Sequence, residues 1–273
     1  MNILVTGGCG FIGSHFIEEI INRPDVNIVV NVDCMTYAAN KNLPFESNPK
    51  YIHHQLDISK DSLLGLLKGY DIDNVIHFAA ESHVDRSILS AREFVSTNVM
   101  GTQVLLDAAY KHKTGRFVHI STDEVYGSLG PTGAFVETTP LDPTSPYAAS
   151  KAASDLMVLA FCKTHKFNGS VTRCTNNYGF YHFPEKLIPL FITNAMEGKK
   201  LPLYGDGMNV RSWLFVTDHC DDLLRVAEKG RAGEVYNIGG NSEAELPNKE
   251  VTRMILELLG KPADLVQQVG DRP

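Results

Sequence analysis

Several kinds of residue pattern are missing from this 273-residue chain, and each absence narrows what the protein can be. The sequence holds no run of about 18 apolar residues, so it offers no candidate for a membrane-spanning helix. The start, MNILVTGGCGF, lacks the basic segment and long apolar core of a secretory signal, so we predict none. The 10 histidines form no H-E-x-x-H or similar ligand pattern, and we therefore predict no metal site.

Basic charge is also scarce, because 25 Lys and Arg residues stand against 32 Asp and Glu residues, for a formal net charge of -7. Wholesale nucleic-acid binding is thereby disfavoured, although a small anionic ligand can still be held locally by a helix N-terminus and a few cations. The five cysteines contain no C-x-x-C pair. Their odd, scattered distribution indicates reduced thiols and predicts a cytoplasmic location.

What the first half does contain is a regular alternation of short β-branched runs with helical patterns. Ile12, Phe16 and Ile20 recur every four residues, as one face of an amphipathic helix does. Strands that alternate with helices at this spacing predict a mainly parallel sheet with helices on both faces. The predicted strands are residues 2–5, 27–33, 51–57, 74–80, 116–122 and 170–176.

A glycine-rich loop follows the first predicted strand and opens the first predicted helix. Gly7, Gly10 and Gly13 allow a tight turn and a close approach of the backbone to a pyrophosphate, which the helix N-terminus then holds. Asp33 ends the next strand, where a carboxylate binds the ribose hydroxyls of a dinucleotide and repels a 2′-phosphate. The loop therefore predicts NAD rather than NADP as the cofactor.

The composition changes after residue 176, where Gly, Pro, Asn and aromatic residues become frequent, as in loops that shape a pocket. Two further strands, RSWLFV and EVYNIG, flank a predicted helix around 218–229. We therefore predict a Rossmann-type doubly wound parallel sheet in residues 1–175, which binds NAD, and a smaller C-terminal substrate-binding lobe in residues 176–273. Segments around 210–240 are expected to return to the first domain.

Tyr147 and Lys151 form a second motif, Y-x-x-x-K. Pro146 suits the first turn of a helix, so the two side chains should lie one turn apart on the same face. An ammonium near a phenol favours the phenolate, and we expect it to lower the pKa of Tyr147 toward that of a useful base.

Together these motifs resemble the extended short-chain dehydrogenase/reductase family, and the resemblance runs over essentially the whole chain. It implies that Tyr147 and Lys151 are the catalytic pair and that both also contact NAD. The other residues for which the resemblance or the loop pattern implies cofactor contact are Gly7, Gly10, Phe11, Ile12, Gly13, Asp33, Cys34, Met35, Thr36, Asp57, Ile58, Phe78, Ala79, Ala80, Ser82, Thr97, Asn98 and Asn177.

Within this family, stretches such as STDEVYG (121–127) and NNYGFYHFPEKLIP (176–189) resemble the nucleotide-sugar 4,6-dehydratases, and most closely their dTDP-glucose branch. The resemblance implies that Tyr147 takes the C4 hydroxyl proton, Glu124 removes the C5 proton and Asp123 protonates the leaving C6 hydroxyl. Thr122 is expected to bind the sugar or Tyr147. To act as an acid, Asp123 needs a raised pKa, from burial or from the charge of Glu124.

The resemblance also implies which residues hold the nucleotide sugar, with Arg211 as the diphosphate clamp because Arg offers permanent bidentate recognition. Two departures from the family pattern stand out. Leu246 occupies the place of a family Asn, which leaves Asn248 as the expected contact, and relatives continue past GDRP (270–273) into a basic stretch whose role Arg272 is expected to share. The implied substrate contacts are Ser82, Thr122, Asn176, Lys186, Leu187, Pro202, Leu203, Tyr204, Arg211, Asn248 and Arg272.

Other readings remain open at this point. The same dehydration of UDP-glucose is the nearest alternative, and an epimerase would have no use for Asp123 and Glu124. A protein of another class, a sensor that binds NAD without catalysis, is disfavoured by the intact Thr122, Tyr147 and Lys151. The resemblance further implies a homodimer through a four-helix interface built from residues 92–112 and 147–165.

Overall fold

A seven-stranded sheet forms the centre of the fold, and all of its strands run parallel. The computed structural model describes residues 1–130 and 132–270. In chain order the strands of the molecule are β1 (Asn2–Thr6), β2 (Ile28–Asp33), β3 (Tyr51–Gln55), β4 (Asn74–His77), β5 (Arg116–Thr122), β6 (Gly169–Cys174), β7 (Asn176–Tyr178), β8 (Leu201–Tyr204), β9 (Val210–Phe215), β10 (Val235–Ile238), β11 (Glu245–Pro247) and β12 (Val266–Val269). The order across the large sheet is β10-β6-β5-β4-β1-β2-β3.

Helices connect these strands, and several of them pack against the large sheet. The helices are α1 (Phe11–Ile20), α2 (Leu64–Gly69), α3 (Val84–Leu89), α4 (Arg92–Phe94), α5 (Thr102–His112), α6 (Pro146–His165), α7 (Leu187–Met196), α8 (Val216–Lys229) and α9 (Asn248–Leu258), with a π-helix (Val95–Gly101) joining α4 to α5. Leu105 of α5 and Val158 of α6 share one buried cluster with Leu4 and Phe117 of the sheet. Because strand side chains alternate, the buried Ile3 and Val5 face the other side of the sheet. The predicted Rossmann-type doubly wound architecture is confirmed.

The chain divides into two compact units. The first comprises Met1–Cys174 and Thr217–Ile238 and contains the large sheet. The second comprises Thr175–Val216 and the chain from Gly239, and it contains a three-stranded sheet in the order β11-β9-β7 and the pair β12-β8. Its own core includes Phe191 of α7, Leu201 of β8 and Ile255 of α9.

The sequence predicted the strand 116–122 and the helix near 218–229 well, as β5 and α8. Two other strands are shorter than predicted, since β3 ends at Gln55 and β4 ends at His77. The prediction of one strand at 170–176 was wrong, because the chain leaves the large sheet after Cys174 and Asn176 begins β7 in a different sheet. No helix within residues 1–130 and 132–270 is long and apolar enough to cross a membrane.

Candidate active site

The sequence-predicted residues of the first unit gather where the parallel strands end. In α/β sheets this edge is where ligands bind, because the connecting loops and helix N-termini converge there. Thr122 is the last residue of β5, and Asp33 is the last residue of β2. Past the ends of β1, β2, β3 and β4 lie Gly7 to Gly13, Cys34 to Thr36, Asp57 with Ile58, and Phe78 to Ser82.

The glycine loop after β1 has the backbone geometry that a dinucleotide needs. Gly7 has a φ of +72°, and a Cβ there would lie 2.6 Å from the backbone nitrogen of Ala79. A Cβ on Gly13 would lie 2.4 Å from the carbonyl oxygen of Gly7. Gly10 is the N-cap of α1, whose first turn is uncharged. These features fit the pyrophosphate of NAD, since the helix N-terminus favours an anion and the glycines of the loop carry no Cβ.

Two side chains of β2 hold this loop in place. Asp33 accepts hydrogen bonds through its two oxygens, one from the Cys9 N–H at 3.0 Å and one from the Met35 N–H at 2.8 Å. Asn31, which sequence analysis did not single out, accepts from the Gly8 N–H at 3.0 Å. A carboxylate oxygen carries more than one lone pair, so Asp33 keeps acceptor capacity for ribose hydroxyls. Its placement fits the predicted preference for NAD.

Replacing Gly7 by Ala is expected to disrupt the loop. A side chain at positive φ costs about 1–2 kcal/mol, and the clash with Ala79 must also push the loop after β4 aside. We expect a lower urea midpoint of unfolding and weaker NADH binding by fluorescence. Gly65→Ala in α2 is the matched control, because a Cβ there meets nothing within 4 Å. Equal behaviour of the two variants would contradict this account.

The loop after β4 is fastened by Asn98 of the π-helix. The Asn98 amide donates to the Glu81 carbonyl at 3.0 Å and to Ser150 Oγ at 2.8 Å, and its oxygen accepts from the Glu81 N–H at 2.9 Å. Asn98 is 1% exposed. The side chain predicted to contact the cofactor is thus directed to protein groups, and it positions the loop that holds Ala79 and Ala80.

Asp123 and Glu124 lie on a single 3-10 turn, Asp123–Tyr126, directly after β5. Both carboxylates are half-buried. Thr122 caps the turn, because its Oγ1 accepts from the Glu124 N–H at 3.2 Å and donates to Asp123 Oδ1 at 3.3 Å. The turn therefore presents two acids side by side at the edge of the sheet where the other candidates gather.

Tyr147 and Lys151 lie one turn apart near the start of α6, as predicted. Burial raises the pKa of Tyr147 well above its ordinary value, the charge of Glu124 raises it further, and a hydrogen bond with Thr122 opposes the rise. Burial lowers the pKa of Lys151 to about 8, and its ammonium donates to the Ile120 carbonyl at 2.8 Å. The direction for Tyr147 is opposite to the one predicted, because burial and the charges of Glu124 and Asp123 raise its pKa. These contacts nevertheless bring Thr122, Glu124 and Tyr147 together.

A buried polar cluster that sequence analysis missed lies beside this site. Asp155, fully buried on α6, accepts from Arg173 Nε of β6 at 2.8 Å, and His119 Nε2 lies 3.5 Å from its other oxygen. Burial lowers the pKa of His119 to about 4, so this imidazole is neutral at pH 7. Burial alone would raise the pKa of Asp155, but hydrogen bonding with His119 and the charge of Arg173 bring it below its ordinary value. Arg173 is therefore the counterion.

The neutral His119 predicts a loss of stability in mild acid. Its pKa in the folded protein, about 4, lies below the ordinary 6.5, so the unfolded chain binds more protons between these values. The contribution is complete above pH 6.5 and falls by about 3 kcal/mol as pH drops toward 4. Urea midpoints at pH 7, 6 and 5 measure it. The buried His77, His182 and His219, whose pKa values are also lowered, add to the same slope. His119→Gln should therefore reduce the slope, whereas His53→Gln, on the exposed part of β3, should retain it.

The second unit holds the remaining predicted contacts on several elements. Lys186 is the N-cap of α7, and Arg211 is exposed on β9, opposite Leu246 of β11. Leu203 is 3% exposed and packs in the core of this unit, so its side chain cannot hold a nucleotide base as predicted. Its neighbour Tyr204 is exposed. The other predicted residues are Asn176 and Asn177 on β7, Leu187 at the start of α7, Pro202 on β8 and Asn248 at the start of α9.

Asn248 stands out among these residues. Its Oδ1 atom is buried and has no hydrogen-bond partner within the part of the chain that the structure describes. Arg272, also predicted to contact the substrate, lies outside the described residues. Within residues 1–130 and 132–270, no cluster of three or more His, Cys, Asp or Glu side chains could hold a metal ion.

Comparison with known proteins agrees with this geometry. The family described as GDP-mannose 4,6 dehydratase matches residues 4–265, and the chain belongs to that family. It is 51% identical over 281 residues to a dTDP-glucose 4,6-dehydratase of Actinoplanes sp., covering 100% of this chain and 86% of the relative.

Two solved structures are similar to the whole chain. One is a dTDP-glucose 4,6-dehydratase from Streptomyces venezuelae with NAD and dTDP bound, with a TM-score of 0.93 and 49% identity over 100% of this chain and 85% of that one. The other is a dTDP-glucose 4,6-dehydratase from Bacillus anthracis in complex with NAD, with a TM-score of 0.92, 49% identity and the same coverage. Both relatives belong to the branch that the sequence motifs resemble.

Proposed function

We propose that this chain is an NAD-dependent nucleotide-sugar 4,6-dehydratase that converts dTDP-glucose to dTDP-4-keto-6-deoxyglucose. The observation that carries the proposal is the turn after β5, which places Asp123 and Glu124 beside Thr122 and Tyr147. Hydride transfer alone needs only the tyrosine and the hydroxyl. Two further acids serve a reaction that also removes a carbon-bound proton and expels water. The relatives with the dTDP-glucose name support this substrate.

The first part of the reaction oxidises C4. Bound NAD supplies the redox chemistry, since it accepts a hydride from C4 and later returns it to C6. Tyr147 takes the proton of the C4 hydroxyl, and Thr122, which hydrogen-bonds Tyr147, orients that phenol. Lys151, one turn further along the same face of α6, stabilises the phenolate by its charge.

The second part eliminates water across C5 and C6. The new C4 ketone makes the C5 proton acidic, and Glu124 removes it. Asp123, in its protonated form, gives its proton to the C6 hydroxyl, which leaves as water. After the hydride has returned to C6, a proton re-adds at C5 and the 4-keto-6-deoxy sugar is complete. Adjacent acids on one turn divide these tasks, Glu124 as base and Asp123 as acid.

Residues of the second unit are proposed to hold the nucleotide diphosphate. Arg211, exposed on β9, offers a bidentate clamp for phosphate, and Lys186 adds a second cation at the head of α7. The buried Asn248 Oδ1 finds no hydrogen-bond partner among the described residues, and it suits a donor on the nucleotide because a buried unpaired acceptor is unfavourable. Tyr204, exposed on β8, is proposed to contact the base or ribose.

The proposal extends to assembly and location. Apolar side chains are exposed on the helices expected to form a four-helix dimer interface, with Val95 at 54%, Met100 at 56% and Leu156 at 57%. Exposed apolar side chains of this kind favour burial against a second copy. The five cysteines are thiols rather than disulfides, which suits a reducing, cytoplasmic environment. Light scattering of the purified chain would test the dimer.

One assay tests the function. The purified protein is incubated separately with dTDP-glucose and UDP-glucose, and the alkali-induced absorbance of a 4-keto sugar is measured. We expect product from dTDP-glucose at a clearly higher kcat/KM than from UDP-glucose. A preference for UDP-glucose would overturn the substrate assignment. NADH binding without product from either sugar would favour a cofactor-binding sensor.

A further inference from the structure

The turn that carries the two acids is anchored at its far end by Tyr126. This side chain is 3% exposed, and its hydroxyl donates to Asn237 Oδ1 of β10 at 2.7 Å. The same hydroxyl accepts from Arg173 Nη1 at 2.8 Å, and the Arg173 guanidinium lies 4.8 Å from the centre of the Tyr126 ring. The hydroxyl thus fastens the last residue of the turn to two neighbouring strands, β6 and β10.

Arg173 also reaches the helix that carries the hydride-transfer residues. Its Nε donates to Asp155 at 2.8 Å, and Asp155 lies one helical turn beyond Lys151 on α6. Arg173 is 3% exposed and Asp155 is fully buried, so the bridge is desolvated and held in one geometry. A single guanidinium therefore connects the turn of Asp123 and Glu124 to the helix of Tyr147 and Lys151.

The two ends of this bridge depend on it unequally. Helix α6 is fixed by other contacts as well, since Ser145 caps it and Lys151 binds the Ile120 carbonyl. The turn spans only 4 residues against the 20 of α6. Beyond the Tyr126 hydroxyl it is held by its Thr122 cap, by the bond from the Asp142 N–H to the Val125 carbonyl and by the burial of Val125. Loss of the hydroxyl should consequently displace the acids more than the helix.

We propose that Tyr126 and Arg173 are positioning residues that set the Asp123–Glu124 turn at the distance from Tyr147 that water elimination requires. This inference rests on the proposed function. Neither residue is assigned contact with the sugar. Their effect is confined to the step that uses the two acids, so C4 oxidation should proceed without the Tyr126 hydroxyl while C5 proton removal should not.

Tyr126→Phe tests this inference, because the ring keeps its stacking on Phe135 at 5.0 Å while the hydroxyl is lost. In single turnover with dTDP-glucose, formation of reduced cofactor reports C4 oxidation, and solvent deuterium at C5 reports proton removal. We expect C5 exchange to slow by about 10- to 100-fold, as a misplaced catalytic group does. C4 oxidation should change little, so reduced cofactor should accumulate, which a merely structural defect would not produce.

Tyr70→Phe is the matched control, since it removes the hydroxyl of the residue that follows α2, which lies 3.0 Å from His54 of β3. Both steps should keep their rates in this variant. Arg173→Lys provides a second test in case Tyr126→Phe does not fold. It keeps the positive charge beside Asp155 but cannot bridge Asp155 and Tyr126, so it should also slow C5 exchange. Equal slowing of both steps, or no slowing of C5 exchange, would overturn the inference. Absence of dehydration by the unaltered protein would instead refute the proposed function.

Discussion

Replacing Glu124 by Gln is expected to stop solvent deuterium from entering the sugar at C5 while leaving the cofactor bound. The amide has nearly the shape of the carboxylate but cannot accept the C5 proton, and loss of a general base costs about 10²–10⁴-fold in rate. Turnover of dTDP-glucose should fall by the same factor. Mass spectrometry of the sugar after turnover in D₂O measures the exchange, and NADH fluorescence measures cofactor binding.

Two further variants test whether loss of C5 exchange is specific to Glu124. Asp123→Asn should retain C5 exchange yet slow the loss of water, because it removes the acid and not the base. Glu250→Gln, which disrupts only a surface pair with Arg253 on α9, should leave both steps unchanged. Normal deuterium uptake in Glu124→Gln would refute its role, and loss of uptake only in Asp123→Asn would reverse the two assignments.

The position of Tyr147 explains why the acids must be placed with care. Burial and the neighbouring charge of Glu124 both raise the pKa of Tyr147, which disfavours the phenolate. A carboxylate near enough to remove the C5 proton is also near enough to oppose ionisation of the tyrosine. Positive charge close to the phenol is required to overcome that effect, and Lys151 is the cation on the same helix face.

Much of the first unit could be predicted from sequence because its signals are local. The strand 116–122 is rich in the aromatic and β-branched residues that strands favour, and the glycine loop is marked by its own residues. The ends of strands were harder to predict. Phe78 to Ala80 were predicted as part of a strand, but β4 ends at His77 and these residues lie at the edge of the sheet. The break at Thr175 carries no glycine or proline, so nothing local separates β6 from β7.

The buried bridge could not be predicted, because its members are far apart in sequence. Tyr126, Asp155 and Arg173 come from a turn, a helix and a strand, and only the packed fold brings them together. A weak signal existed, since a charged residue within the buried strand β6 implies a buried partner. Asn98 is a similar case. The family resemblance predicted that it contacts the cofactor, and only its hydrogen bonds in the structure show that it holds the loop of Glu81.

Removing the charge of Arg173 is expected to cause the largest loss of stability. Arg173→Met fills similar volume but leaves Asp155, which is fully buried, without its counterion. Breaking a buried ion pair on one side costs about 3–5 kcal/mol. The free energy of unfolding in urea at pH 7 measures this loss. The deficit should shrink in acid, because protonation of Asp155 removes the uncompensated charge.

The double variant Arg173→Met/Asp155→Leu separates this cause from a loss of packing. If the uncompensated carboxylate is responsible, removing it as well should restore much of the stability, since apolar replacements of buried pairs are often tolerated. Arg23→Met is the matched control, because Arg23 forms its ion pairs with Asp25 and Glu228 at the surface, where such pairs contribute little. A double variant no more stable than Arg173→Met, or an equal loss in Arg23→Met, would contradict the assignment. Recovery of stability without recovery of C5 exchange would in addition separate the folding role of the bridge from its role in placing Asp123 and Glu124.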